Sequence, residues 1–328
     1  MRKLLITGGM GFIGSNFIHY WMRKHPADRI VNLDLLTYAG TLNPAELAAL
    51  PPNHQFVHGD ICDFPLLERL MNENFDAVVH FAAESHVDRS IRDPASFVRT
   101  NVLGSQALFE AARRSNIPKF IHISTDEVYG SLGESGAFTE ETPLSPNSPY
   151  SASKAGADLL AKAYWKTYGF PVVVLRSSNN FGPRQYPEKF IPMVITRALT
   201  DSEIPIYGDG QNVRDWLYVE DFCTAIELAL KKGKPGEVYN VGANNERTNL
   251  EVARRILAEL GKPESLLRFV ADRPGHDYRY AIEAGKIRDE LGWEPAYTFE
   301  AGLRATIKWY VQRVDRWIKF IQEKFMQE

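Results

Sequence analysis

Two short segments of the sequence carry side chains suited to acid–base chemistry. The first, Tyr150-Ser151-Ala152-Ser153-Lys154, places a phenol and an ammonium at positions i and i+4, on one face of a predicted helix. A tyrosine has a pKa of about 10, and nearby positive charge lowers it toward the range in which the phenol acts as a base. The pair is suited to removing the proton of an alcohol while a hydride leaves the same carbon.

The second segment, Thr125-Asp126-Glu127, joins one hydroxyl to two adjacent carboxyls at the end of an apolar run. Thr125 can hydrogen-bond the reacting hydroxyl together with Tyr150. Consecutive residues leaving a strand point in different directions, so we expect Asp126 and Glu127 to address different atoms of one sugar. One acid would protonate a leaving hydroxyl while the other removes a carbon-bound proton. The alternative is a pair of solvated loop acids.

A glycine-rich turn near the N-terminus predicts a dinucleotide site. Gly8, Gly11 and Gly14 follow a predicted strand and open a predicted helix, where backbone N–H groups approach a pyrophosphate. Asp34 ends the next predicted strand and is suited to accept hydrogen bonds from ribose hydroxyls. The following residue, Leu35, is not a cation that would hold a 2′-phosphate, so the pattern favours NAD over NADP. The alternative is that the glycines only shape a turn.

The strands and helices that position these segments follow from hydrophobic spacing. Short apolar runs alternate with helical patterns, which predicts an α/β protein with a Rossmann-type doubly wound parallel sheet covered on both faces. Predicted strands lie at 3–7, 29–34, 55–59, 77–82, 120–124 and 172–177, and predicted helices at 15–24, 66–72, 103–114, 150–168, 249–260 and 302–325, the last of them exposed.

Beyond Asn179 the composition changes, and loops rich in proline, glycine and charge separate shorter elements. This change predicts a smaller C-terminal α/β domain that closes over a substrate. We assign 1–178 to an NAD-binding Rossmann domain, to which 212–242 returns, and 179–211 with 243–328 to the substrate domain. Asp60 and Ile61 follow the third predicted strand, where an adenine amide would be read.

Composition excludes several other classes of protein. Lys and Arg number 38 against 41 Asp and Glu, a formal charge of −3 that argues against a nucleic-acid surface. Cys62 and Cys223 cannot form a disulfide framework and lack metal-ligand spacing, so no metal is expected. No apolar run approaches the ~20 residues of a membrane helix. Only three apolar residues separate Lys3 from the first glycine, which predicts no signal peptide and a cytoplasmic protein.

Taken together, these motifs resemble the extended short-chain dehydrogenase/reductase family, and more closely its nucleotide-sugar 4,6-dehydratases. The resemblance covers nearly the whole chain. Epimerases of the same fold usually carry small residues at the positions of Asp126 and Glu127. The departures are Leu35 and Thr41, where the family often has Lys and Asn, and Phe181, where it often has Tyr. Further matching stretches lie at 82–90, 176–183, 208–217 and 272–277.

The resemblance implies a lyase that converts dTDP-glucose to a 4-keto-6-deoxy sugar and water with a retained NAD. Tyr150 would serve as base while C4 is oxidised. Glu127 would then take the C5 proton while Asp126 protonates the C6 hydroxyl. The remaining alternatives are a dehydratase or 4-epimerase acting on a UDP or CDP sugar, and a non-catalytic NAD-binding sensor. Kinship also implies a homodimer and a place in deoxysugar biosynthesis, including that of dTDP-rhamnose.

The residues and the resemblance together predict three sets of site residues. The catalytic set is Thr125, Asp126, Glu127, Tyr150 and Lys154. The cofactor-binding set is Gly8, Gly11, Phe12, Ile13, Gly14, Asp34, Leu35, Thr37, Asp60, Ile61, Phe81, Ala82, Ala83, Ser85, Thr100, Tyr150, Lys154 and Asn180. The substrate-binding set is Ser85, Thr125, Asn179, Lys189, Phe190, Pro205, Tyr207, Arg214, Asn249, Arg273 and His276.

Overall fold

The computed structural model of the chain describes residues 1–40, 52–272, 274–315 and 317. Its strands are β1 Lys3–Thr7, β2 Arg29–Asp34, β3 His54–His58, β4 Ala77–His80, β5 Phe120–Thr125, β6 Val172–Ser177, β7 Asn179–Phe181, β8 Ile204–Tyr207, β9 Val213–Tyr218, β10 Val238–Val241, β11 Glu246–Thr248 and β12 Leu267–Val270. Its helices are α1 Phe12–Lys24, α2 Phe64–Met71, α3 Val87–Arg92, α4 Pro94–Phe97, α5 Ser105–Arg114, α6 Pro149–Tyr168, α7 Phe190–Leu199, α8 Val219–Lys232, α9 Asn249–Leu260, α10 Gly285–Leu291 and α11 Phe299–Val311.

A seven-stranded parallel sheet forms the centre of the molecule, with the strand order β10-β6-β5-β4-β1-β2-β3. The chain leaves β1 toward β2 and β3, then crosses back to β4 and continues outward on the other side. A crevice opens at the carboxyl ends of the strands where such a reversal occurs. The predicted Rossmann-type parallel sheet is therefore confirmed.

The strands are apolar along their whole length because helices cover both faces of the sheet. In β1, Leu4 and Ile6 pack into one buried cluster with α1 and α8, while Leu5 packs into the cluster under α2, α5 and α6 on the opposite face. Alternate side chains of a strand point to opposite faces, so a strand buried on both sides shows no polar alternation.

A second region is built from two small sheets, β11-β9-β7 and β12-β8, and from α7, α9 and α11. Its own buried cluster includes Phe181, Val194, Trp216, Ile256 and Leu303. The segment 212–242 divides between the two regions, since β9 lies in a small sheet whereas α8 packs on the large sheet and β10 pairs with β6.

The last described helix, α11, was predicted to be exposed, but one of its faces is buried. The side-chain hydroxyl of Thr298 caps α11 by accepting from the N–H of Ala301 at 3.2 Å. Leu303, Ile307 and Tyr310 then lie on one face and are buried in the cluster of the second region. The prediction of exposure was wrong for this face, because spacing shows an apolar stripe but not what covers it. Among the described residues, no helix has the length and apolar character needed to cross a bilayer.

Candidate functional site

Two neighbouring cavities meet at the carboxyl edge of the large sheet. We call the first, of about 300 Å³, the strand-end cavity, because it is lined by residues that follow β1, β2, β4 and β5. The second, of about 430 Å³, is the outer cavity and lies against the second region. The residues that line both are Glu127, Asn179, Asn180, Gln185, Glu188 and Lys189. The two cavities therefore form one cleft with a shared wall.

The glycine turn after β1 lines the strand-end cavity between the residues that follow β2 and those that follow β4. Gly8 has φ +71°, and a Cβ there would lie 2.5 Å from the backbone nitrogen of Ala82. A Cβ on Gly14 would lie 2.3 Å from the carbonyl oxygen of Gly8, whereas one on Gly11 would meet only that oxygen at 3.3 Å. Glycine is thus required for the turn to close, and the open side at Gly11 fits the approach of a pyrophosphate to backbone N–H groups.

Asp34 fixes this turn from the end of β2. One carboxylate oxygen accepts the N–H of Met10 at 2.9 Å and the other accepts the N–H of Leu36 at 2.8 Å. Burial raises the pKa of Asp34, and these two hydrogen bonds oppose the rise. The carboxyl lines the strand-end cavity beside Leu35 and Thr37, where it suits ribose hydroxyls and disfavours a further phosphate.

Every residue predicted to bind the cofactor lines the strand-end cavity. At the far end, Asp60 accepts from the N–H of Cys62 at 2.8 Å and forms an ion pair with Arg99 at 3.0 Å. Thr100 reaches the cavity from a π-helical stretch, Val98–Gly104, that precedes α5. The lining thus runs from the glycine turn to Tyr150 and Lys154, which is a continuous path for an extended dinucleotide.

The phenol and the ammonium are placed by the first turns of α6. Ser148 and Ser151 cap this helix reciprocally, each side chain accepting from the other's backbone N–H, and Pro149 occupies its first position. The Lys154 ammonium donates to the carbonyl of Ile123 on β5 at 2.7 Å, and burial lowers its pKa to about 8. Both Tyr150 and Lys154 line the strand-end cavity next to Thr125.

The pKa of Tyr150 is raised, whereas the sequence led us to expect that it would be lowered. Burial is the main cause that raises this pKa, the charge of Glu127 adds to the rise, and a hydrogen bond with Thr125 opposes it. The phenol is buried, so its anion lacks solvation. A positive charge bound in the strand-end cavity would oppose this rise.

The two adjacent carboxyls have different surroundings. Thr125 ends β5, and the short 3₁₀ turn Asp126–Tyr129 follows, which directs Glu127 into the cleft and Asp126 inward. Glu127 lines both cavities, whereas Asp126 is 1% exposed and is among the lining residues of neither. The expectation that both side chains face one substrate is thus met by Glu127 only, because consecutive residues of a tight turn point in different directions.

Asp126 is buried in surroundings that favour its neutral form. Its Oδ1 accepts from the Thr125 hydroxyl at 3.3 Å, and its Oδ2 has no hydrogen-bond partner among the described residues. Burial raises the pKa of Asp126 well above its ordinary value, the charges of Glu127 and Asp215 add to the rise, and Arg214 opposes it. A carboxyl with a raised pKa is suited to act as a proton donor.

The outer cavity gathers most of the residues predicted to bind the substrate. Arg214 is buried there, with its guanidinium donating to the carbonyls of Val213 at 2.7 Å and Asp277 at 2.9 Å. These bonds fix the orientation of a planar group suited to phosphate oxygens. Ser85 and Thr125 line the strand-end cavity instead, and Arg273 lies outside the described residues. Predicted residues that line the outer cavity are Asn179, Lys189, Phe190, Pro205, Tyr207, Arg214, Asn249 and His276.

Several lining residues were missed from the sequence. Glu188 lines both cavities and Trp216 lines the outer one, next to Arg214 on the same face of β9. The i, i+2 spacing of Arg214 and Trp216 would have identified the tryptophan, because alternate residues of a strand share a face. Glu188 has no such signal, since an isolated acid in a loop belongs to no recognisable pattern.

Comparison with known proteins adds to this geometry. Residues 5–306 match the model of the family described as GDP-mannose 4,6 dehydratase. A dTDP-glucose 4,6-dehydratase of Xanthomonas campestris pv. campestris (strain B100) is 54% identical over 332 residues, covering 95% of this chain and 93% of its own.

Two solved structures are similar along nearly the whole chain. The dTDP-glucose 4,6-dehydratase of Streptomyces venezuelae, crystallised with NAD, matches with a TM-score of 0.92 and 49% identity, covering 96% of this chain and 98% of its own. The dTDP-glucose 4,6-dehydratase of Bacillus anthracis str. Ames, in complex with NAD, has a TM-score of 0.91 and 50% identity, covering 97% and 99%.

Proposed function

The chain belongs to the GDP-mannose 4,6 dehydratase family, and from that premise we propose that it converts dTDP-glucose to dTDP-4-keto-6-deoxyglucose and water. Relatives that are about 50% identical to this chain over nearly their full length are named for this activity. Within the chain, the observation that carries the proposal is the position of Glu127 in the wall shared by the two cavities, beside Thr125 and Tyr150.

The strand-end cavity fits NAD. Gly8, Gly11 and Gly14 would hold the pyrophosphate and Asp34 the adenosine ribose, while Tyr150 and Lys154 lie at the end where the nicotinamide belongs. When bound, NAD supplies the hydride acceptor for C4, the hydride donor for C6 and a positive ring charge. That charge is of the sign needed to lower the raised pKa of Tyr150.

Oxidation at C4 comes first, because the C5 proton of a hexose is too weakly acidic to remove directly. Tyr150 takes the proton of the C4 hydroxyl, which Thr125 also hydrogen-bonds, and Lys154 stabilises the phenolate by its charge. The resulting C4 ketone makes the C5 proton α to a carbonyl. Tyr150 thus prepares the substrate for the residues of the shared wall.

Elimination across C5 and C6 uses the two carboxyls in different protonation states. Glu127, which faces the cleft, takes the C5 proton. Asp126, whose pKa burial raises, gives its proton to the C6 hydroxyl, which leaves as water. Reduction at C6 and return of a proton to C5 complete the product. Because Asp126 lines neither cavity, this transfer requires its carboxyl to come within reach of the C6 hydroxyl at the inner limit of the cleft, where its hydrogen-bond partner Thr125 lines the strand-end cavity.

Substrate binding is assigned to the second region. Arg214, Lys189 and His276 lie around the outer cavity and are suited to the diphosphate, and Pro205 and Tyr207 are suited to the base. In this assignment, 1–178 with the returning 212–242 binds NAD, while 179–211 and 243–328 bind the nucleotide sugar. The glucose then lies at the shared wall, between the two.

We also propose that two copies pair through α6 and the π-helical stretch before α5. Val98, Leu103 and Leu159 are 54%, 55% and 58% exposed, a group of large apolar side chains on elements that support the site. A cytoplasmic location agrees with the use of NAD and a nucleotide sugar, both of which are made inside the cell.

An isotope experiment tests the reaction directly. Substrate carrying deuterium at C4 should give product that has lost the mass of one water and carries the deuterium at C6, because the hydride removed from C4 is the one returned. Mass spectrometry and NMR of the product read both features. Deuterium lost to solvent or to added NAD would contradict the retained-cofactor mechanism, and unchanged substrate would contradict the assigned activity.

A further inference from the structure

A loop at residues 182–189, which we call the bridging loop, crosses the entrance of the cleft between the two regions. Gln185, Glu188 and Lys189 line both cavities, and Tyr186 lines the strand-end cavity. The loop follows β7 and leads into α7, so by chain position it belongs to the second region. Its residues nevertheless line the strand-end cavity of the large sheet.

Hydrogen bonds hold the bridging loop from both sides. The Asn16 amide on α1 donates to the carbonyl of Pro183 at 2.9 Å, and the Tyr310 hydroxyl on α11 donates to the carbonyl of Gln185. The Lys189 ammonium donates to the carbonyl of Ser85, after β4, at 2.6 Å. The loop is thus fixed relative to both regions.

One further contact lies at the wall of the strand-end cavity, where Thr37, Ala39, Tyr186 and Glu188 are lining residues. The Tyr38 hydroxyl donates to Glu188 at 2.8 Å, although the two residues are 150 positions apart. The Arg89 guanidinium lies 3.7 Å over the Tyr38 ring, and the Tyr186 ring meets it edge-on at 5.5 Å. The Glu188 side chain is 8% exposed, and its second oxygen is 3.7 Å from the His86 ring nitrogen.

Tyr38 occupies the segment that follows Asp34, whose residues Leu35 and Thr37 line the adenosine end of the strand-end cavity. The Tyr38–Glu188 hydrogen bond therefore joins the adenosine end of the cavity to the bridging loop. The contact thus ties together two wall segments between which the adenosine part of a dinucleotide would lie.

We propose that Tyr38 and Glu188 form a clasp that retains NAD between the oxidation and reduction steps. The inference rests on the proposed function, since a reaction that returns the same hydride is interrupted if reduced cofactor leaves before C6 is reduced. A clasp made by one side-chain hydrogen bond also explains why a loop of the second region reaches back to the end of β2. Tyr38 and Glu188 are thus positioning residues that act on cofactor release.

The test measures NAD release without substrate. Protein loaded with labelled NAD is mixed with excess unlabelled NAD, and the dissociation rate is followed for wild type, Tyr38→Phe, Glu188→Ala and the double variant. Tyr38→Phe keeps the ring contacts and removes only the hydroxyl. We expect about tenfold faster release in Tyr38→Phe, as for loss of one hydrogen bond to a charged group. In the Glu188→Ala background, Tyr38→Phe should add nothing.

Tyr168→Phe is the matched control, because Tyr168 is 56% exposed at the end of α6 and its ring contacts Arg113 in the same manner, at 4.8 Å. Release at the wild-type rate in Tyr38→Phe would overturn the clasp. So would an equal acceleration by Tyr38→Phe with and without Glu188. Thermal unfolding of the cofactor-free variants verifies that each is folded.

A second measurement separates the clasp from the reaction. During turnover of C4-deuterated substrate, Tyr38→Phe should pass more deuterium into a pool of added NAD than wild type does. If the variants release NAD faster and wild type itself forms no dehydrated product, the clasp stands and the proposed function fails. If product forms normally and release stays at the wild-type rate, the clasp fails by itself.

Discussion

The strand-end cavity takes its lining from the ends of β1, β2, β4 and β5, whereas the outer cavity gathers residues from β7, α7, β8, β9 and α9. In the first, the glycine turn, Asp34 and Thr125 end or directly follow strands of one sheet, so the sheet register brings these residues together, and α6 adds Tyr150 and Lys154. In the second, Arg214 is oriented by backbone carbonyls of a segment more than sixty residues away, at Asp277 and Tyr278. One cavity is therefore fixed by local sequence, and the other by contacts between distant segments.

This difference predicts that changes on each side have separable effects. Substitutions in the strand-end cavity should act on NAD affinity, and substitutions in the outer cavity on the Michaelis constant of the nucleotide sugar. Residues of the shared wall should affect the chemical step itself, because the proposed mechanism places the reacting carbons of the sugar there.

The largest effect is expected at the shared wall. Glu127→Gln removes the base for the C5 proton and should lower product formation by about 10²- to 10⁴-fold, the usual contribution of a positioned base. Oxidation at C4 should persist, so reduced cofactor accumulates and is visible by its absorbance.

Glu134→Gln, at an exposed position, is the control for Glu127→Gln. Unimpaired dehydration by Glu127→Gln would remove Glu127 from its role. It would also remove the reason for treating the shared wall as distinct from the two cavities.

The next effect is expected in the glycine turn. Gly8→Ala places a Cβ 2.5 Å from the backbone of Ala82 at a φ of +71°, so the turn must shift. We expect NAD to bind about a hundredfold more weakly, since steric contact with backbone and an unfavourable φ each cost on the order of a tenfold factor. Calorimetric titration with NAD measures the change.

Gly133→Ala is the matched control for the turn, because a Cβ there meets nothing within 4 Å and its φ is not positive. Equal NAD affinities of the two alanine variants would show that the glycine turn does not bind the cofactor. The strand-end cavity would then not be distinguished from the outer cavity by NAD binding at its glycine turn.

The smallest effect is expected in the outer cavity. Arg214→Lys keeps a charge but loses the planar fork that matches phosphate oxygens, so the Michaelis constant for dTDP-glucose should rise about tenfold with little change in kcat. NAD affinity should stay at the wild-type value.

Arg254→Lys provides a control, because this arginine is exposed and forms an ion pair at 3.0 Å with an exposed acid, Glu264. A parallel loss of NAD affinity in Arg214→Lys would contradict the separation of the two cavities. Steady-state kinetics measure the Michaelis constant for dTDP-glucose, and NAD titration of the same preparation measures the NAD affinity.

The sequence predicted the strand-end cavity well because its residues obey short-range rules. A strand, a glycine turn and a helix follow one another within residues 3–24, and the acid at Asp34 ends the next strand. Parallel strands bring their carboxyl ends to the same edge, so each later segment could be placed without knowing any long-range contact.

Other features depended on burial, which spacing does not show. Asp126 and Glu127 are neighbours in sequence, yet only the structure shows that one is enclosed and the other faces the cleft. The raised pKa of Tyr150 likewise results from its burial beside Glu127, which outweighs the expected influence of a lysine four residues away.

By itself, the sequence determined the parallel sheet, the position of the glycine turn and the set of candidate reacting side chains, since these follow from hydrophobic period, glycine sterics and functional-group chemistry. Only the tertiary structure decided which of the two acids faces the cleft, how Arg214 is oriented and that Tyr38 meets Glu188 across 150 residues. The physical reason is that burial and long-range hydrogen bonds arise between segments that are far apart along the chain. The sequence of neither segment indicates that the two are in contact.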